Sequence, residues 1–312
     1  MNLPRGFSLI EMVITIVVLG IIAVAAGAFL FPAFNAQQGL ERRAALVEAA
    51  EGAIRRMSRD IRVSIPNSVR VTNVLAVGSG FAIELIPSAD GARYCSSGTA
   101  DCDVSGVLSI GSADTVFDVL GCFRNAAFIA ASGTNAYRLV VGNTDSNIYT
   151  ATGASAVIAP VGNVTLSIFP GTGGTPTVCG SPSAVATTYN RHRVTLASHT
   201  FPTASPRQRV FVVEDAIAPV TYICNFSAGT LTRYAGYKNG AAYSTAGQPT
   251  DPAAAPLSSA TGRRVADNVS ACSVTSTEAT VQASSIVTLS MTLSNSGEIV
   301  QLINQVQLDN SQ

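Results

Sequence analysis

The 312 residues carry 19 basic and 19 acidic side chains, and only 12% of positions are charged. A balanced, sparsely charged chain lacks the basic excess that nucleic-acid binding draws on, so no nucleic-acid partner is expected. Apolar residues make up 47%, enough for a substantial core, and the length suits one large domain or two modest ones.

The chain opens MNLPRGFSLIEMVITIVVLGIIAVAAGAFLFPAF. Residues 12–34 hold no charge, and about 20 apolar residues in a helix suffice to cross a bilayer core. Glu11 stands at the edge of this run. An unpaired carboxylate deep in lipid costs on the order of 3 kcal/mol, so such a group is a functional candidate by default. Two processing readings compete. In an ordinary secretory signal, Arg5 is the basic start and Ala23-Val24-Ala25 or Ala26-Gly27-Ala28 offers the cut. In the other reading the cut falls after Gly6, and Phe7 becomes the new N-terminus. Glu11 then has a role, because a terminal ammonium in an apolar setting needs a counter-ion and a neighbouring subunit's carboxylate supplies one.

Arg5-Gly6-Phe7-Ser8-Leu9-Ile10-Glu11, followed at once by the apolar run, resembles the N-terminal signature of type IV pilins and of the pseudopilins of type II secretion. The resemblance implies a prepilin peptidase that cuts between Gly6 and Phe7 and methylates the Phe7 amine. It implies that Glu11 is the assembly carboxylate, and that partners are other minor and major pilins, the inner-membrane assembly platform and membrane lipid. It also implies a single-pass inner-membrane protein whose C-terminal domain is periplasmic before it enters an extracellular pilus. Family members at the extreme filament tip can lack the Glu, so Glu11 implies a place with a neighbour above.

Next comes LERRAALVEAAEGAIRRMSRDIRVSIP. Leu40, Ala44, Val47, Ala50, Ile54, Met57 and Ile61 recur at three- and four-residue spacing, which predicts an amphipathic helix. Pro66 is its expected stop, and Pro32, Gly39 and Gly52 are candidate bends. Run together from residue 7 to about 63, the helix would extend roughly 85 Å. Arg42, Arg43, Arg55, Arg56, Arg59 and Arg62 read first as a solvated face laced with Glu–Arg pairs, and otherwise as a headgroup or partner surface.

From about residue 68, short β-type runs alternate with Gly, Ser, Asn and Pro turns: VRVTNVLAV, GFAIELI, YRLVVG, NVTLSIF, RHRVTL, RQRVFVVE, PVTYIC, TLTRY, SIVTLSMTL and EIVQLINQVQL. Residues 143–147 and 171–174 read as loops, and residues 241–260 as a low-complexity surface excursion. Residues 90–200 follow no clear pattern overall. The expected organisation is a leader at 1–6, a membrane and assembly helix at 7–34, its amphipathic continuation at 35–65 and a strand-rich domain at 66–312. That is an α+β fold, a long N-terminal helix packed on an antiparallel β-rich domain, pilin-like by the resemblance. APVTYICNFSAGTLTRYAGY, VADNVSACSVT and VTLSMTLSNSGEIVQLINQVQLDN are similar to larger minor pilins and J-type minor pseudopilins, most of all to MshO-type minor pilins of mannose-sensitive haemagglutinin (MSHA) pilus systems, as is RRMSRDIRVSIPNSVRV.

Cys95, Cys102, Cys122, Cys179, Cys224 and Cys272 form no C-x-x-C pair, and an even count beside a membrane-entry segment favours three disulfides in an oxidising compartment. One choice among fifteen connectivities pairs Cys95 with Cys102 across a short loop, pairs Cys224, which ends a strand-like run, with Cys272, which follows another, as a staple between neighbouring strands, and leaves Cys122 with Cys179.

Catalytic signatures are missing: there is no G-x-S-x-G, H-E-x-x-H or P-loop, so no enzyme is expected and no cofactor. His192 and His199, seven apart without an acidic cluster, read as surface or strand residues rather than metal ligands. Asp90, Asp101, Asp103 and Asp145 offer loop oxygens for calcium but at no EF-hand spacing, so no metal is expected. Asn163 and Asn268 head glycosylation tripeptides of a kind common by chance. The alternative to a filament subunit is a secreted binding or adhesive domain with an ordinary signal peptide.

Overall fold

The structure, a computed structural model, describes residues 8–97, 102, 104–144, 146–159, 164–169, 179, 190–238, 241–277 and 285–308. Its first element is a single helix, α1 (Leu9–Arg62), of 54 residues, about 81 Å long. Ser8 is its extended N-cap, and the Ser8 carbonyl accepts from the N–H groups of Glu11 and Met12 at 3.1 and 3.2 Å. The helix continues through Pro32, Gly39 and Gly52 and ends four residues before Pro66. Arg59 and Arg62 in its last turn complement the negative pole of the helix dipole.

Among the described side chains of α1, the buried ones lie in its C-terminal half. Leu46, Ala50, Ala53, Ile54, Met57 and Ile61 are buried on one stripe. The expected stripe began too early: Leu40 is 70% exposed and Ala44 is exposed as well. Ahead of Leu46 the helix has largely left the domain. One point of approach remains near Gly39, where a Cβ would lie 3.3 Å from Glu298 Oε1.

Among the described residues, fourteen strands follow: β1 (Arg70–Thr72), β2 (Gly80–Leu85), β3 (Asp90–Tyr94), β4 (Asp114–Leu120), β5 (Tyr137–Val141), β6 (Thr165–Phe169), β7 (Arg191–His199), β8 (Arg209–Glu214), β9 (Val220–Asn225), β10 (Thr230–Ala235), β11 (Thr261–Asp267), β12 (Val269–Ser276), β13 (Ser285–Asn295) and β14 (Glu298–Leu308). A short helix, α2 (Ala126–Ala130), lies between β4 and β5, capped by Asn125, whose side chain accepts from Ala127 and Phe128 N–H. The strands form three antiparallel sheets, ordered β1-β2-β9-β10-β11, β12-β13-β14 and β5-β8-β3-β4-β7-β6. The fold is therefore α+β, an N-terminal apolar helix followed by an antiparallel β-rich domain.

The β13–β14 hairpin pairs without interruption from Ser285↔Leu308 to Asn295↔Glu298. Ser296 and Gly297 close it with φ of 48° and 88°, the two left-handed positions of the turn that matches strand twist. At Gly80, which opens β2, a side chain would collide with the Cys224 carbonyl of β9.

One core joins the α1 stripe to Phe81, Ile83 and Leu85 of β2, Val220 and Tyr222 of β9, and Val287, Leu289, Met291 and Leu293 of β13. A second fills the six-stranded sheet around Phe117, Val119, Phe128, Leu139, Val141 and Val212. A third group, Ile65, Ile86, Ile148, Tyr149 and Tyr243, includes side chains from both of the larger sheets' neighbourhoods. Residues 241–260 are not simply a surface excursion: Tyr243, Ser244 and Leu257 are buried, and the Thr245 and Ala246 carbonyls each accept from Arg70 at 2.9 Å. The segment stays in place because its aromatic ring fills a gap and its carbonyls satisfy a half-buried guanidinium. Three disulfides, Cys95–Cys102, Cys122–Cys179 and Cys224–Cys272, cross-link the domain, the last joining β9 to β12.

Candidate functional site

The first twenty residues of α1, Leu9–Ala28, have a mean hydropathy of 2.8 and no part of them is buried within the chain. Leu9, Ile10, Met12, Val13, Ile14 and Ile16 are all exposed, so apolar side chains surround the helix rather than forming one stripe. A helix apolar on every side needs an apolar medium or other helices around it. Glu11 lies in the first turn, exposed among these residues, where a carboxylate also suits the positive pole of the helix. Gly6 and Phe7, the expected cleavage pair, lie outside the described residues.

The rest of the expected polar positions serve the domain. His192 is fully buried on β7, with Nδ1 accepting from Phe123 N–H at 3.0 Å. His199, also on β7 and 1% exposed, bonds through Nε2 to the Ala156 carbonyl at 2.7 Å, and burial pushes its pKa down. Both are strand residues, but neither is at the surface. Asp90 Oδ2 accepts from the N–H groups of Arg124 and Asn125, and Oδ1 from Gly91, so this carboxylate pins loops together. Asp101, Asp103, Asp145, Asn163 and residues 171–174 lie outside the described residues. Asn268 is exposed in the left-handed turn between β11 and β12, at φ 60°. Among the described residues, no three His, Cys, Asp or Glu side chains gather as a metal site.

Sequence reasoning missed four carboxylate clusters buried or half-buried in the domain. Asp118 receives Arg191 Nε at 3.0 Å and Arg193 Nε at 2.6 Å. Asp215 pairs with Arg138 at 2.7 Å and with Lys238. Glu84 accepts from Arg70 Nε at 2.5 Å and from the Tyr237 hydroxyl at 2.7 Å, yet burial outweighs these partners and raises its pKa. Asp60 of α1 accepts from the Tyr222 hydroxyl at 2.7 Å and Arg233 Nε at 2.8 Å, tying the helix to β9 and β10. Burial, then the Asp60 charge, lifts the Tyr222 phenol well above its ordinary pKa, so it stays a donor. No local spacing marks these clusters, since their members come from separate strands, loops and the helix and meet only in the folded chain.

An exposed apolar helix with an acid in its first turn thus extends from a disulfide-linked β domain. Residues 1–27 match the prokaryotic N-terminal methylation motif. The methylation motif supports a type IV pilin-like or pseudopilin-like chain and suggests a structural subunit, processed by a peptidase and assembled with other pilins. With the apolar span of α1 it fits membrane anchoring. No curated protein matches the chain, and no solved structure does.

Proposed function

We propose that the chain is a minor pilin of a type IV, MSHA-type pilus, a non-enzymatic structural subunit of pilus biogenesis or of the tip or priming complex, seated below a neighbour rather than at the extreme tip. In this reading residues 1–6 are the leader, prepilin peptidase cuts between Gly6 and Phe7, and the Phe7 amine is methylated. Residues 7–34 cross the inner membrane and then pack in the filament core, residues 35–65 continue the helix, and residues 66–312 form the periplasmic and later extracellular domain. The observation that carries it is Glu11: an exposed carboxylate one turn into an otherwise apolar, exposed helix. Alone in lipid such a charge is costly, and a neighbour's terminal ammonium offsets the cost. The methylation motif supports the processing step, and the C-terminal likeness to MshO-type minor pilins supports the choice of system.

Mass spectrometry of the mature N-terminal peptide from membranes tests the first step. N-methylated Phe7 is expected, and a chain starting near residue 26 or 29 would mean an ordinary secreted domain. Glu11→Ala should then be cut and methylated normally yet reach shed filaments at no more than about a tenth of the wild-type level, the effect of losing roughly 1.4 kcal/mol. Wild-type incorporation of that variant would remove Glu11 from assembly. A minor pseudopilin of type II secretion rests on the same helix, and co-purification with secretion rather than pilus subunits would favour it.

A further inference from the structure

β14 is the outer strand of the three-stranded sheet and is eleven residues long. Its partner β13 turns alternate backbone groups away from it. Ser294 N–H donates to the Asn268 carbonyl at 2.8 Å, and Ile286 exchanges bonds with Thr277 on that same far side. Successive residues of a strand direct their backbone groups to opposite sides. The odd-numbered residues of β13 therefore face β14. With Leu293↔Val300, Met291↔Leu302 and Leu289↔Asn304 in register, the N–H and C=O groups of Ile299, Gln301, Ile303, Gln305 and Gln307 point out of the sheet. Among the described residues, none of these groups bonds to another backbone group.

Natural edges are commonly blunted by proline, lysine, a bulge or shortness. β14 has none of these: it reads EIVQLINQVQL and pairs with β13 without a register shift, while α1 packs against its inward side chains, with Ser58 Oγ donating to Asn304 Oδ1 at 3.2 Å. Beside it runs a trough of about 600 Å³, with Leu302, Ile303 and Asn304 on one wall and Arg55, Arg59 and Arg62 of α1 on the other. Among the described residues, Glu51 is the only acid lining it, 3.4 Å from Arg55. Among the described residues, Arg59 and Arg62 form no ion pair.

We propose that the β14 edge accepts an extended acidic segment of another protein as a fourth strand of this sheet. Its main chain would pair with the outward groups of β14, the recurring strand-addition mode of recognition. Alternate side chains, Asp or Glu, would face the arginine flank, and the others, β-branched, would lie beside Ile299 and Ile303, both exposed on the outer face. A second β14 is a poor occupant, because its only charge is Glu298 at one end and its own arginine flank would come with it. This surface is separate from the apolar span of α1, so its test is independent of processing at Gly6.

The test uses the full chain in detergent micelles and a blocked synthetic peptide alternating valine and glutamate, read by fluorescence anisotropy and amide hydrogen exchange. Saturable binding with slowed exchange at Ile299, Ile303 and Gln305 is expected. Arg59→Glu with Arg62→Glu should weaken binding by about tenfold or more, since two exposed ion pairs are lost and like charges take their place. Gln305→Pro removes only an outward N–H, which an edge strand tolerates, and should abolish binding. If that variant misfolds by circular dichroism, the double arginine variant carries the test. The same peptide with lysine for glutamate should not bind. Equal affinity for the lysine peptide, unchanged exchange at saturation, or full affinity in the double arginine variant would overturn the proposal. So would edge amides already protected without peptide in proportion to protein concentration, which would make the occupant a second copy.

Discussion

Asp60 joins the helix to the domain by side-chain bonds, and replacing it with alanine tests how firmly. Asp60→Ala removes an acceptor from Tyr222 at 2.7 Å and from Arg233 at 2.8 Å. A hydrogen bond to a charged group contributes about 1.5–3 kcal/mol. The Asp60 and Arg233 side chains are 18% and 14% exposed, so water partly compensates, and the lower end applies to each bond. The two together give a loss of about 3 kcal/mol. Denaturant unfolding of the full chain in micelles measures it, followed by tyrosine fluorescence and circular dichroism, since the chain has no tryptophan. A double-mutant cycle with Arg233→Met isolates the ion pair, with a coupling of about 1–2 kcal/mol expected for residues in direct contact. Energies that simply add to within about 0.5 kcal/mol would refute the reasoning for the ion pair, leaving the Tyr222 hydroxyl bond, the Ser58–Asn304 bond and apolar packing to hold α1 in place.

Two further outcomes follow from the same core. Burial raises the Glu84 pKa, so the folded chain holds this proton more tightly than the unfolded chain does. As pH rises from the ordinary carboxylate range through that raised value, unfolding free energy should fall, and Glu84→Gln should flatten the slope. An unchanged slope in a pH series of unfolding curves would show that another group titrates there. Met57, 1% exposed within the α1 stripe, should cost about 2–4 kcal/mol as Met57→Ala, read from the same unfolding curves, and a loss under about 1 kcal/mol would mean the helix seat relaxes around the gap.

What the sequence made readable was local. The unbroken apolar run of α1, the short, nearly continuous apolar runs of GFAIELI and PVTYIC, and the long β13 and β14 segments all carry their signal within a few residues. β3, β4, β11 and β12 were not legible as strands. β3 (DGARY) opens with Asp and Gly, and β11 (TGRRVAD) is mostly exposed and owes its place to pairing with β10. β4 carries a buried Asp118 at its centre, a choice that makes sense only once Arg191 and Arg193 arrive from β7. The early part of the helical stripe misled for a related reason. Leu40 keeps the apolar period, but the periodicity contains no mark of where the domain stops covering the helix. The outward edge of β14 was hidden in the same way, because an edge is defined by the strand that is not beside it.

The seat of α1 also has a mechanical meaning. Leu46 to Ile61 spans about 22 Å of helix at 1.5 Å per residue, all of it lying along the domain, with Asp60 clamped near the far end. A pull on the exposed span Leu9–Ala28 therefore acts in shear: it loads the buried side chains and the Asp60 clamp simultaneously instead of peeling them one at a time. A helix drawn out of lipid under tension would tend to bring its domain along intact.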